Sequence, residues 1–183
     1  MLAFFQQLDG GLLLTIQGMR LELLNPLVEG VTALGNAGAV WIVLSLFLLC
    51  RKSTRRAGML SLAALALGFL CTNLTVKPLV HRPRPWLALA ELVPLIHEGD
   101  PHSFPSGHAT AAFAAGMVWA RELPRKGLRT AAVAMAVCMA LSRLYMGVHY
   151  PSDVLCGAAV GTLCAWTARA VWRRFESRGK LCK

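Results

Sequence analysis

The sequence predicts an all-α bundle of membrane-spanning helices, and three observations predict it. Hydrophobic residues make up 56% of the 183 and charged residues only 15%, against about 25% charged in an ordinary soluble domain. The mean hydropathy is +0.53. The positive charge is gathered rather than spread: 14 of the 19 Lys and Arg fall in 51–56, 121–129 and 169–183, each beside an apolar run. That is how cytoplasmic loops of membrane proteins are marked. A net charge of +10 would suit nucleic acid only as a basic face on a soluble module; the clustering excludes that class. We find no repeat or linker and read residues 1–183 as one domain.

Residues 1–22 place Leu2, Phe4, Phe5, Leu8, Leu12, Ile16 and Met19 at roughly helical spacing, interrupted by Gln6, Gln7, Asp9, Gln17 and Arg20. The expectation is a helix lying in the membrane interface, with a sixth short span as the alternative. A basic n-region and a small-residue cleavage site are lacking, so no processing is expected. The first span is 27–50 and the second 57–76. Residues 82–105 hold Pro83, Pro85, Pro94, Pro101 and Pro105, which forbids one continuous helix and predicts a loop or short broken helices. The third span starts near Pro105, at a position proline tolerates, and runs to 120. The fourth is 130–146, and the fifth starts at Pro151 and runs to 172. These last three are near the minimum for about 30 Å of hydrocarbon. The six cysteines form no C-x-x-C pair and are read as small buried hydrophobes.

Five spans with the basic clusters inside put three polar islands on the outer side. The first holds Lys77, His81, Arg82 and Arg84. Snorkelling toward lipid headgroups would explain such cations, but the outer face is where positive charge is least expected. The second is Pro105-Ser106-Gly107-His108, at a helix start where backbone N–H groups and the dipole attract an anion. Ser106 as an ordinary N-cap is the plainer account; it leaves His108 facing a membrane bundle unexplained. The third island runs from Ser142 and Arg143 to His149 and Asp153. Asp153, four residues past His149, is placed to hydrogen-bond one imidazole nitrogen and make the other more basic. A zinc site from His97, Asp100, His102, His108, His149 and Asp153 is the rival chemistry. Helix-compatible ligand pairs are missing, and the nearby arginines oppose a cation. No metal or other cofactor is expected.

The pattern Lys-x6-Arg-Pro, Pro-Ser-Gly-His and Ser-Arg-x5-His-x3-Asp resembles the type 2 phosphatidic acid phosphatase superfamily. Lys77 with Arg84-Pro85, Pro105 to His108, and Ser142-Arg143 with His149 and Asp153 match it in order and spacing, over a core of 77–153. Arg82-Pro83 competes, but the six-residue gap selects Arg84. The resemblance implies that Lys77, Arg84, Ser106, Gly107 and Arg143 hold the phosphoryl oxygens. It makes His149 the nucleophile of a phosphohistidine intermediate, Asp153 its orienter, and His108 the acid and then the base. His81, His97 and His102 match no motif and are read as loop residues near the entrance. The function expected is that of an integral membrane lipid phosphatase of the plasma (inner) membrane with its site outside. Undecaprenyl diphosphate is the leading substrate, and phosphatidylglycerophosphate or phosphatidate the alternative. A vanadium haloperoxidase-like enzyme, which the family resembles in soluble form, and a non-catalytic lipid transporter are the readings from other classes.

Overall fold

The computed structural model describes residues 2–181, and among them every regular element is helical. Helix α1 is Leu2–Gly18, α2 Asn25–Leu34 and α3 Ala39–Leu49. Helix α4, Arg55–Phe69, continues through a π-helical stretch, Leu70–Val76, into α5, Lys77–Val80. The short α6 is Pro85–Ala88; α7 is Gly107–Glu122, α8 Lys126–Tyr145 and α9 Pro151–Leu181.

Among the described residues, three continuous helices are long and apolar enough to cross a membrane: Arg55–Val80, Lys126–Tyr145 and Pro151–Arg178. The span expected at 27–50 is instead a pair, Glu22–Leu34 and Asn36–Leu49, bent by 48°, which makes a fourth if the pair crosses as one. The break has a local cause: Ala37 and Gly38 both adopt left-handed backbone, at φ 51° and 72°. The expected third span is a helix of only 16 residues. The second extends past its expected end at 76, so Lys77 projects from a helix rather than from a loop. The proline-rich stretch holds only one helical turn, α6.

Helix α7 is the axis of the bundle, with α4, α8 and α9 packed around it. Its row of Ala109, Ala112, Ala114, Ala115 and Val118 is completely buried. Small side chains let neighbouring helices come close, which is how helices associate when lipid removes the hydrophobic drive. Gly161 of α9 uses that closeness: a Cβ there would lie 2.8 Å from the Ala114 backbone nitrogen and 3.1 Å from the Phe113 Cβ. Gly161→Ala is therefore expected to push α9 off α7 and destabilise the fold by roughly 1–3 kcal/mol, the usual range for overpacking. A lowered thermal midpoint in detergent checks this; an unchanged midpoint would mean the contact is looser. Some polar groups inside the bundle are paired across helices. Ser61 of α4 donates to Ser45 of α3 across 2.7 Å, both hydroxyls being completely buried.

At one end of the bundle Arg56 lies 3.0 Å from Glu122 and 2.9 Å from Glu176, and Arg169 lies 2.7 Å from Glu122. Glu122 and Arg169 are largely buried, while Arg56 and Glu176 are open to solvent, and an exposed pair such as theirs contributes little stability; together the contacts report topology, because the segments of all three basic clusters meet there. The cysteines differ from expectation. Cys164 is buried, Cys156 half-buried, and Cys50, Cys71 and Cys138 are exposed. Cys71 and Cys138 are turned outward by their helices, toward where lipid would lie. Cys182 lies outside the described residues.

Candidate active site

The three polar islands come together at the opposite end. The long helix 55–80 ends at His81, whose left-handed backbone (φ 50°) turns the chain sharply. From there Arg82 to Arg84 run across the bundle end, held where Ser103 N donates to Arg82 O at 2.8 Å and Arg84 N to Pro101 O at 3.0 Å. The link between α8 and α9 is a tight turn through Gly147 (φ 76°), a conformation glycine adopts without strain, and it drives His149 into the interior. Proline at 151 then opens α9, so Asp153 falls in its first turn.

His149 is 2% exposed and sits between opposite charges. Arg84 Nη1 lies 3.2 Å from its Nε2, and Asp153 Oδ2 lies 3.6 Å from its Nδ1. An arginine only donates, so Nε2 faces it with a lone pair, and Nδ1 carries the proton toward the carboxylate. The latter gap is an ion-pair distance rather than a hydrogen bond, and among the described residues Nδ1 has no closer partner. Burial pushes the imidazole pKa down to about 4, with Arg84 and Arg143 adding to the effect and Asp153 opposing it. The ring is therefore neutral at ordinary pH. Across the site His108, in the first turn of α7, lies with Nε2 3.1 Å from Asn36 Oδ1, on the α2–α3 break. With that oxygen as acceptor, Nε2 carries a proton.

A cleft of about 610 Å³ joins these groups. Lys77, Arg84, Gly107, His108 and His149 line its polar end, and Ile42, Leu62, Leu65, Ala66, Phe69 and Ala111 its apolar arm between α3, α4 and α7. The other expected residues stand behind this lining. Asp153 backs His149. Arg143 is completely buried, donating to Thr32 and Glu98. Ser106 caps α7, its hydroxyl accepting from Ala109 N at 3.4 Å, and does not line the cleft. The amides of Gly107 and His108 come first in that helix, with no intrahelical carbonyl to bond.

Two acids of the proline-rich loop hold the cations. Glu98 bonds Arg143 and lies 3.9 Å from Arg84, and Asp100 accepts from Lys77 Nζ at 2.6 Å. Burial raises the pKa of both carboxyls, but the charge of Arg143 on Glu98 and the Lys77 hydrogen bond to Asp100 more than reverse it. Both are ionised. Carboxylate oxygens thus stand where a substrate's anionic oxygens would have to go. The remaining histidines lie outside the lining: His81 and His102 meet edge to face at 4.8 Å, and His97 stands edge-on to Trp86 at 5.7 Å. Among the described residues, no three His, Cys, Asp or Glu side chains converge to hold a metal ion.

A family model described as the PAP2 superfamily matches residues 57–176, well over half of the chain. The chain belongs to the PAP2 superfamily. It is 34% identical over 133 residues to the decaprenylphosphoryl-5-phosphoribose phosphatase of Mycobacterium tuberculosis, spanning 73% of this chain and 72% of that protein. It is 26% identical to the lipid A 4'-phosphatase of Porphyromonas gingivalis over 96% of this chain and 77% of the relative. The crystal structure of a PAP2-type phosphatidylglycerolphosphate phosphatase from Bacillus subtilis superposes with a TM-score of 0.75 at 26% identity, covering 93% of this chain and 87% of that one. This PAP2 chain is an integral membrane lipid phosphatase, a hydrolase of phosphoric monoesters.

Sequence reasoning missed five side chains that the fold brings to the site: Asp9, Thr32, Asn36, Arg82 and Glu98. Only Arg82 carried a signal, its own Arg-Pro dipeptide. The others come from segments without a motif.

Proposed function

We propose that the chain removes the terminal phosphate from a lipid diphosphate or monophosphate, with undecaprenyl diphosphate as its physiological substrate, through a phosphohistidine on His149. One observation carries this reading: a neutral, lone-pair-bearing Nε2 lies at the polar end of a cleft where Lys77 and Arg84 stand, and the other end is apolar. Such a cleft suits an anionic headgroup joined to a hydrocarbon chain. His149 Nε2 attacks phosphorus as the bond from phosphorus to the leaving oxygen breaks, and the developing positive charge on the ring is met by Asp153. Lys77, Arg84, Arg143 and the Gly107 amide neutralise the phosphoryl oxygens. His108 enters this step as the imidazolium and gives one of its two ring protons to the leaving oxygen. In the second half it takes a proton from water, which attacks phosphorus, releasing inorganic phosphate and returning the electron pair to Nε2. Ser106 acts indirectly, by capping the helix that presents Gly107 and His108.

Helix α7 is proposed as a central span, about 24 Å long at 1.5 Å per residue. With the bent pair counted once, five spans result. The basic ends then lie in the cytoplasm and the site lies outside the plasma (inner) membrane, within lateral reach of a lipid. A polyprenyl substrate is supported by the mycobacterial relative, whose name specifies a decaprenyl lipid. The Bacillus structure, named for phosphatidylglycerolphosphate, supports that lipid as the alternative; phosphatidate is the other glycerolipid to test.

The purified protein should be assayed for phosphate release from undecaprenyl diphosphate, phosphatidylglycerophosphate and phosphatidate. The highest kcat/KM is expected on the diphosphate. His108→Ala should cost less on that substrate than on the monoesters, because a phosphate leaving group needs little protonation and an alcohol needs it fully. Preference for a glycerolipid would install the alternative, and no release from any of them would overturn the reading.

A further inference from the structure

The network behind His149 extends to a helix outside the residues that the family model matches. Arg82 Nη1 donates to Asp153 Oδ1 at 2.7 Å and to Ser152 Oγ at 2.7 Å, and its Nη2 donates to Asp9 Oδ2 at 2.8 Å. Asp9 also accepts from the Ser152 backbone at 3.1 Å and bonds the Ser152 hydroxyl. The guanidinium lies 3.9 Å over the Tyr150 ring, which fixes its plane. Both carboxylates are buried, Asp9 at 8% and Asp153 at 0% exposure.

Resting on the assignment of His149 as nucleophile, we infer that Asp9 and Arg82 are positioning residues for the Asp153–His149 pair, which makes α1 part of the active site. The charge balance gives the reason. One guanidinium is shared between two carboxylates, so Asp9, Arg82 and Asp153 together keep one negative charge facing His149 Nδ1. That charge is needed when Nε2 bonds to phosphorus and the ring becomes cationic. With Asp9 neutral, Arg82 would belong to Asp153 alone, and the pair would present no net charge. Geometry adds to this. Asp9 supplies an acceptor to the first turn of α9 from outside that helix, and Asp153 stands on the same turn. Asp9 and Leu13 of α1 face inward while Leu8 and Leu12 are exposed. The helix turns apolar side chains outward, toward where lipid would lie, and its acid to the network.

The role is exercised in the chemical step and not in holding the substrate, which separates it from simple docking of α1. In the full-length protein, Asp9→Asn is expected to lower kcat on the order of tenfold, the size of effect that losing an outer-layer orienting partner has at other sites, with KM within about twofold. Asp9→Glu should recover part of the loss, and Arg82→Lys, which keeps charge but not the fork, should lose kcat similarly. Thermal midpoints are measured alongside. Wild-type kcat in Asp9→Asn would overturn the inference, as would a kcat loss only in proportion to protein that fails to fold. His149→Ala serves as the control: turnover retained there would bring down the nucleophile assignment instead.

Discussion

Replacing His149 by alanine is expected to abolish turnover, by a factor on the order of a million where the chemistry runs through a single nucleophile, while the protein still folds. The survival of the fold follows from what His149 leaves behind. Asp153 keeps the Arg82 guanidinium at 2.7 Å and the Tyr150 backbone N–H at 2.9 Å. Arg84 keeps the Asp100 and Val148 carbonyls. No buried charge is orphaned, which is the circumstance that makes loss of a buried partner severe. The pH behaviour adds a second reading. Burial holds the His149 pKa near 4, below its usual 6.5, so the free enzyme keeps the attacking lone pair at pH 5–7 and loses it only as pH falls through about 4. An acid-labile phosphoryl group should be trapped on the wild-type protein from labelled substrate, and none on the variant. Phosphate release by a folded His149→Ala protein would move the nucleophile elsewhere.

What the sequence made legible was the chemistry along the chain, because the motif residues are unusual for their surroundings. Outside the basic clusters only Arg20, Lys77, Arg82, Arg84 and Arg143 remain among the cations, and four of these five stand at the site. Apolar runs and positive clusters also carried the all-helical class and several element ends. What escaped was whatever depends on which way a helix is turned. Asp9, Gln17 and Arg20 read as interruptions that would keep α1 at the water surface. In the fold they point to the protein: Asp9 to Arg82, Gln17 to the backbone of Glu91 and Val93, and Arg20 to the Val93 carbonyl. Periodicity locates a helix and its apolar residues, but in a membrane the apolar side faces lipid and the polar side faces partners, the reverse of the soluble case. Ser106 carried two readings for a different reason. A helix-start serine can cap or bind, and only the position of its hydroxyl decides between them. Glu98 lies in a loop whose shape is set by contacts distant in sequence, such as Leu95 N to Met146 O at 3.0 Å. No local pattern could have aimed it at Arg143.

That carboxylate sets up the second large effect. Arg143→Ala is expected to lower kcat/KM by about 10²–10³, the loss typical when one donor to a developing oxyanion is removed. The position is unforgiving because Arg143 is completely buried, out of reach of the bulk water that could stand in at an exposed site. Glu98→Gln should act in the opposite direction on binding. In the ligand-free protein Glu98 bonds Arg143 and stands near Arg84, so an incoming phosphoryl group must first break those contacts. The affinity measured for phosphate is then a difference between two anions competing for the same guanidinium groups. A hydrogen bond to a charged group is worth about 1.5–3 kcal/mol, so weakening this one should tighten inhibition by inorganic phosphate on the order of tenfold. The two variants together test one idea. If Glu98 is a competitor, Glu98→Gln tightens phosphate binding only while Arg143 is present, and the gain disappears in the Arg143→Ala background. If phosphate binds more weakly to Glu98→Gln, the carboxylate supports the pocket and the competition account fails.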